Sequence, residues 1–261
     1  MEVRPTFRVR TPPSGRRIGI LKRGRREVES THSPRYRAVF HLLAAAAAAL
    51  LLAAACDDGT SRPQPQTAVY RLAFDATWSA DTHPTDFPSN AHFSGLIGAA
   101  HVAGVHLWEV GEPSSPGIKN MAERGLKEPL GSEVDTLIAH GEACSKLSGG
   151  GINPSPGSVQ LELTMDRDCP SVSVVSMIAP SPDWFVGVSD VLLFEHGRWV
   201  DEKVIDLLPY DAGTDSGVTF LSPDLVTEPP VPIQEIVSDP LLVGEAVPPL
   251  GTFTFTRVED Q

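Results

Sequence analysis

From Tyr70 to Trp78 the chain alternates apolar and polar positions. Tyr70, Leu72, Phe74, Ala76 and Trp78 fall on one side, and Arg71, Ala73, Asp75 and Thr77 on the other. A period of two is that of a strand with one buried face. Val159, Leu161, Leu163 and Met165 alternate in the same way with Gln160, Glu162, Thr164 and Asp166. From Ser171 to Ile178 the alternation slips at Val174-Val175, which predicts a bulge or a strand buried on both faces. Further strands are expected over 105–110, 184–194, 199–208, 218–221 and 252–258. Helical patterning is confined to 118–124 and 133–143, the second opening on a capping-type Ser132-x-x-Asp135. The stretch 148–157, rich in Gly, Ser and Pro, predicts an exposed loop. Many short strands, Pro/Gly-rich turns and few helices predict a mainly all-β fold, an antiparallel β-sandwich with a few short helices.

Charge divides the chain unevenly. The whole carries −12, yet residues 1–55 hold 11 of the 21 Lys and Arg and three acids, Glu2, Glu27 and Glu29. From Cys56 onward there are 10 basic and 30 acidic residues, a formal charge of −20. Such a surface repels nucleic acid and bare anionic lipid and suits divalent cations. About 200 residues is ample for one cored domain and tight for two.

The first 55 residues read as a targeting leader. Arg35 and Arg37 precede an apolar stretch over 42–55 that ends Leu52-Ala53-Ala54-Ala55-Cys56. Small residues before a Cys suit cleavage and lipidation, so Cys56 is expected to carry a lipid, although Ala53 stands where Leu is usual. A membrane span needs roughly 20 apolar residues, and this stretch is shorter and mostly Ala. Residues 56–66 follow as the lipidated Cys and a flexible tether, and 67–261 as the folded domain. Arg16-Arg17 does not make a twin-arginine signal, because Gly19 occupies an apolar position and the apolar stretch lies far downstream. A start near Val28 leaves an ordinary signal peptide. The expected location is the bacterial cell envelope, periplasmic or at the cell surface, with the membrane reached through the lipid anchor.

With Cys56 lipidated, Cys144 and Cys169 remain, an even pair in an oxidising compartment. A bridge between them would stabilise by about 3 kcal/mol in the chain-entropy model. The alternative is two unpaired buried thiols. No third or fourth ligand accompanies them, so zinc is not expected.

The candidate chemistry lies in two stretches, Pro-Ser-Pro-Asp-Trp-Phe-Val-Gly from Pro180 to Gly187 and Asp-Ala-Gly-Thr-Asp-Ser-Gly from Asp211 to Gly217. They set Asp183, Asp211 and Asp215 in turn-forming sequence between apolar runs. Carboxylates converging on one edge repel each other unless a cation sits among them, and hard oxygen ligands favour calcium. An EF-hand reading fails, because Ser216 replaces the required Gly and Ser222 the required Glu. An aspartic-protease dyad fails too, since Asp211 and Asp215 share one turn and a dyad needs two facing loops.

The order of several further stretches carries a resemblance. They are Thr77-Trp78-Ser79, Asp86-Phe87-Pro88, Phe93-Ser94, Ile97-Gly98-Ala99-Ala100-His101, Gly117-Ile118-Lys119 and Ala122-Glu123-Arg124-Gly125, then Met177 through Gly187 and Tyr210 through Phe220. From about Tyr70 to about Pro232 the chain resembles the spondin N-terminal domain family, as in F-spondin and mindin. The resemblance implies a β-sandwich similar to calcium-dependent membrane-targeting domains. It also implies a bound calcium with Asp183, Asp211 and Asp215 as its carboxylate ligands. The animal members attach this domain to thrombospondin type 1 repeats, none of which stands in this sequence, and that puts the animal proteins' receptor and matrix binding in doubt here.

His92, His101 and His106 tempt a metal or catalytic assignment. His101 and His106 differ by five, so on one extended strand they face opposite sides. No nucleophile elbow accompanies them, and no residue is assigned a catalytic role. Trp78, Trp108, Trp184 and Trp199 read as core or rim packing, with Trp184 beside Asp183 helping to fix the loop. Glu123 is explained by a cap or a salt bridge and is left unassigned. The expected function is a non-enzymatic, calcium-binding recognition or adhesion module at the envelope, whose partner is a glycan or protein. The rival is a metal-assisted envelope hydrolase acting on glycans or lipids.

Overall fold

A computed structural model describes residues 64–258. The leader, Cys56 and most of the tether lie outside the described residues. The strands are β1 (Thr67–Ala76), β2 (His92–Phe93), β3 (Ile97–His101), β4 (Ala143–Ser148), β5 (Gly157–Asp166), β6 (Ser171–Ala179) and β7 (Trp184–Leu192). They continue with β8 (Phe194–Glu195), β9 (Arg198–Trp199), β10 (Glu202–Asp206), β11 (Pro209–Asp211), β12 (Gln234–Glu235) and β13 (Gly251–Val258). Two helices, α1 (Pro116–Arg124) and α2 (Leu130–Ala139), fall between β3 and β4.

One sheet runs β10-β13-β1-β5, antiparallel throughout. Its register sets Phe74 opposite both Phe253 and Val159, so the inward face is continuous with the alternation read from the sequence. The second sheet runs β12-β11-β7-β6-β3-β4, with β2 beside β6. The main core fills the space between the sheets and includes Tyr70, Leu72, Phe74, Trp78, Val172, Val174, Val186 and Phe253. This is the expected antiparallel β-sandwich.

A second core explains the slip at Val174-Val175. Val175, Met177 and Phe185 face away from the first sheet and pack with Ile118, Met121, Leu130, Val134 and Trp108 beneath the helices. Every residue of β6 is buried, because the strand has apolar layers on both faces. A register shift between Val172 and Val174 against β7 adds the bulge as well. Gly98 permits the close approach of β3 to β6, since a Cβ there would meet the Ser173 carbonyl oxygen at 2.0 Å.

The helices start differently from the sequence expectation. Ser115 caps α1, its Oγ accepting from the Ile118 amide at 3.1 Å, with Pro116 in the first turn and Gly125 at φ 64 ending the helix. Ser132 does not cap α2. The helix begins two residues earlier, and Glu128 accepts from both the Ser132 amide (3.1 Å) and its hydroxyl (2.8 Å). It also stops at Ala139, because Gly141 turns the chain at φ 75 and Ala143 then pairs with His101 to start β4.

Three further expectations change. Residues 105–110 form no strand. Gly104 and Gly111, both at positive φ, turn the chain at either end, and Leu107 and Trp108 go into the second core. Residues 218–221 form a turn, where Ser222 Oγ accepts from the Val218 and Thr219 amides at 3.1 and 3.0 Å. The loop over 148–157 is partly buried: Ile152 pairs its backbone with Phe93, and Ser155 donates to the Trp78 carbonyl at 2.7 Å. The expected strands 184–194 and 199–208 are each broken in two, into β7 and β8 and into β9 and β10.

The sandwich has two distinct ends. Thr67 pairs with Asp166 at one, and Trp199 Nε1 donates to the Pro65 carbonyl there. Ala76 pairs with Gly157 and Gly251 at the other. The ten-residue β1 runs from one to the other, a span of roughly 30 Å. The turn between β6 and β7 and the segment after β11 both belong to the Ala76 end, where Phe220 packs on Trp78 and Trp184, ring centroids 5.4 Å apart in both pairs.

Candidate functional site

Two loops meet at the Ala76 end. Ser181 organises the β6–β7 turn, donating to the Ile178 carbonyl at 2.5 Å and accepting from the Trp184 amide at 3.1 Å. That turn buries Asp183 completely. Asp211 closes β11 opposite Trp184 of β7, so strand pairing brings the second loop beside the first. Gly213 follows at φ 74, and a Cβ there would meet the Val231 carbonyl oxygen at 2.0 Å. Only glycine combines that backbone with that approach.

The carboxylates have distinct surroundings. Asp183 Oδ2 accepts from the Thr214 amide (2.7 Å), the Thr214 hydroxyl (3.1 Å) and the Asp215 amide (3.0 Å). Asp183 Oδ1 is buried and has no hydrogen-bond partner. Asp211 Oδ1 accepts from the Gly213 amide at 2.7 Å. Asp215 Oδ1 accepts from the Gly217 amide at 2.7 Å and its Oδ2 from the Leu225 amide at 2.8 Å.

Their acidities follow. Burial, reinforced by the nearby Asp211 charge, pushes the Asp183 carboxyl up to about 6 against the opposing pull of its amide donors. Burial also raises Asp211, with the Asp215 charge acting in the same direction and hydrogen bonds from Gly213 and Trp184 opposing it.

Asp183 and Asp211 thus face each other electrostatically, and Asp215 acts on Asp211 while both its oxygens hold loop amides. Among the described residues, no three or more His, Cys, Asp or Glu side chains gather into a metal-holding group. The Asp-Ser-Gly turn occupies Asp215 locally, as Asx turns do. The unpartnered Asp183 oxygen is the feature that fits a hard cation, because a buried acceptor without a donor is costly.

Next to Asp211 lies a cavity of about 180 Å³, lined by Trp184, Asp211, Val218, Glu235, Val237 and Asp239 among others. Glu235, at the end of the two-residue β12, and Val237 and Asp239 just beyond it have no motif around them, so the sequence does not point to them. Thr214 was also missed, although its amide and hydroxyl both hold Asp183.

The remaining candidates lie elsewhere. Cys144 on β4 and Cys169 between β5 and β6 form a disulfide with Cα atoms 6.0 Å apart. His101 is buried near the opposite end of the sandwich, pairing with Ser171. Its Nδ1 faces the Val102 carbonyl at 2.9 Å and must donate there, so Nε2 accepts from Ser173 Oγ at 2.8 Å. Burial lowers its pKa. His106 is exposed, and His92 stands against the Asn90 carbonyl. Glu123 pairs with Lys119 one helical turn away. The four tryptophans Trp78, Trp108, Trp184 and Trp199 are all core residues.

The Spondin_N family model matches residues 68–241. Rat (Rattus norvegicus) Spondin-2 is 36% identical over 217 residues, covering 76% of this chain and 63% of its own length. Human (Homo sapiens) Spondin-2 is 36% identical over 209 residues, 73% of this chain and 62% of its own length. Chicken (Gallus gallus) Spondin-1 is 38% identical over 184 residues, covering 66% of this chain and 22% of its own length. The chain therefore spans less than two thirds of the length of these relatives.

Proposed function

The chain belongs to the Spondin_N family, and from that premise we propose a non-enzymatic recognition or adhesion module, exported to the cell envelope, lipid-anchored through Cys56 and stiffened by one calcium ion at its loop edge. The observation that carries the calcium is the buried, unpartnered Asp183 Oδ1 beside a second raised carboxyl, Asp211. Asp183 and Asp211 would hold the ion, with backbone carbonyls and water completing the six to eight oxygens that calcium takes. Asp215 contributes charge and keeps the loop in shape through Gly217 and Leu225. The ion would neutralise carboxylates that otherwise repel one another.

Export is supported by the Cys144–Cys169 disulfide, a bond characteristic of oxidising compartments. β1 begins at the Thr67 end of the sandwich, and the acidic loops lie at the Ala76 end. His101 offers the hydrolase reading no base at this edge, since it sits buried toward the other end and is committed to Val102 and Ser173. Retention of envelope components by the immobilised protein, compared in calcium and in chelator, tests the proposal. Recovery of the same background proteins with and without the module would reject recognition.

A further inference from the structure

The segment between Lys203 and Arg257 contains no Lys, Arg or His and eight carboxylates. The two flanking cations are engaged elsewhere, Lys203 with Glu195 and Arg257 with Asp201. The same segment carries the most exposed large apolar side chains of the described residues: Val218, Leu221, Leu225, Val226 and Val237 are between 59% and 76% exposed.

The exposure is built into the loops. Phe220 is buried between Trp78 and Trp184 and anchors the turn, which leaves Val218 and Leu221 on the outside. Leu225 and Val226 are held against Asp215 and Ser216 by the Leu225 amide on Asp215, the Ser216 amide on the Leu225 carbonyl and a bridge from Asp215 to Val226. Val218 and Val237 border one cavity with Trp184, Asp211, Glu235 and Asp239. At about 180 Å³ it is smaller than the roughly 300–1,000 Å³ of small-molecule sites and suits a single side chain. Glu235 and Asp239, which the calcium reading does not use, select a cation, and the apolar border suits the methylene stem of that side chain.

We propose that this rim is a docking surface for a basic, apolar-rich segment of a partner protein, one of whose Lys or Arg side chains enters the cavity at Trp184. Charge decides among the occupants. A second copy would bring like charges together across the contact, and an anionic bilayer would meet the same repulsion. A segment interleaving cations with apolar residues matches both components, and exposed apolar groups ringed by carboxylates mark such contacts. This inference rests on the reading of the domain as a recognition module; the cavity shares Asp211 with the proposed calcium site, whereas Glu235 and Asp239 lie outside that site.

The test uses the full chain at one fixed calcium concentration, with two labelled short peptides, one alternating lysine with leucine and one alternating glutamate with leucine. The lysine peptide binds and the glutamate peptide does not. Val218→Ser with Leu221→Ser weakens binding at least about tenfold, the loss of one buried apolar contact pair. Glu235→Gln weakens it measurably, whereas Glu162→Gln on the outer face of β5 leaves it unchanged. Equal loss from Glu162→Gln and Glu235→Gln would reduce the effect to bulk charge and overturn the proposal. So would capture on phosphatidylserine vesicles, or dimerisation, that depends on Val218 and Leu221. If the lysine peptide fails to bind while envelope proteins are still retained, this surface is wrong and the recognition reading stands; if both fail, both fall.

Discussion

The Thr214 amide donates to Asp183 Oδ2 across 2.7 Å, joining loops 31 residues apart in the chain. The Thr214 hydroxyl and the Asp215 amide reach the same oxygen, which leaves Oδ1 with none. One half of the Asp183 carboxylate therefore builds the loop edge, and the other half is available to a cation.

That division predicts how variants behave. Asp183→Asn keeps the acceptor for Thr214 and removes a buried charge, so the calcium-free stability should change by no more than about 1 kcal/mol. Asp183→Ala removes the acceptor as well and should cost about 2–4 kcal/mol. Both should lose the response to calcium. Urea denaturation in chelator and in calcium distinguishes them, and equal destabilisation by Asn and Ala would contradict the division.

Calcium itself should stabilise the wild type. At about 100 times the dissociation constant, linkage adds about 2.7 kcal/mol, a rise in melting temperature of roughly 5–10 °C for a domain of this size. Asp211→Ala should abolish most of the rise. Calorimetry on chelator-stripped protein decides it, and no shift in the wild type would remove calcium from the proposal.

Acid should weaken the fold through two histidines. His83 and His101 are fully buried and their pKa values are lowered by that burial. In the unfolded chain both take up protons near pH 6.5, while in the fold they resist, so their stabilising contribution is complete above pH 6.5 and is lost as pH falls below it. His101→Gln should flatten the fall in unfolding free energy between pH 7.5 and 5.5. An unchanged slope would show that His101 takes up its proton equally in both states.

The disulfide should be worth about 3 kcal/mol. It ties β4, on the edge of the larger sheet, to the connection between β5 and β6. Cys144→Ser with Cys169→Ser should lower the denaturation midpoint in oxidising buffer to the value the wild type reaches on reduction. A wild-type midpoint insensitive to reductant would contradict this.

Anchoring makes a separate prediction. The mature protein should begin at a lipidated Cys56 and partition with membranes, and Cys56→Ser should release or mislocalise it. Mass spectrometry that finds unmodified Cys56 within an intact leader would reject the anchor.

The sequence by itself determined the sandwich. In β1 and β5 the side chains alternate between a core and solvent, so the period of two is written directly in Tyr70, Leu72 and Phe74 and in Val159, Leu161 and Leu163. It also placed Asp183, Asp211 and Asp215 in turns, because Pro, Gly and Asp impose local backbone geometry whatever surrounds them. The tertiary structure decided the rest. Residues 105–110 look like a strand because burying Leu107 and Trp108 demands apolar residues whether or not a ladder forms, and 218–221 do so because exposed Val218 and Leu221 flank buried Phe220. Ser132 resembles a cap, but Glu128 reaches it first through space. At the loop edge, the order of carboxylates along the chain says nothing of which oxygens meet amides. Asp215 is held on Gly217 by a local turn, but only the packing of β7 against β11 brings the Thr214 and Asp215 amides to one oxygen of Asp183 and leaves the other bare, because a hydrogen bond depends on position within a few tenths of an ångström and residue order does not encode that.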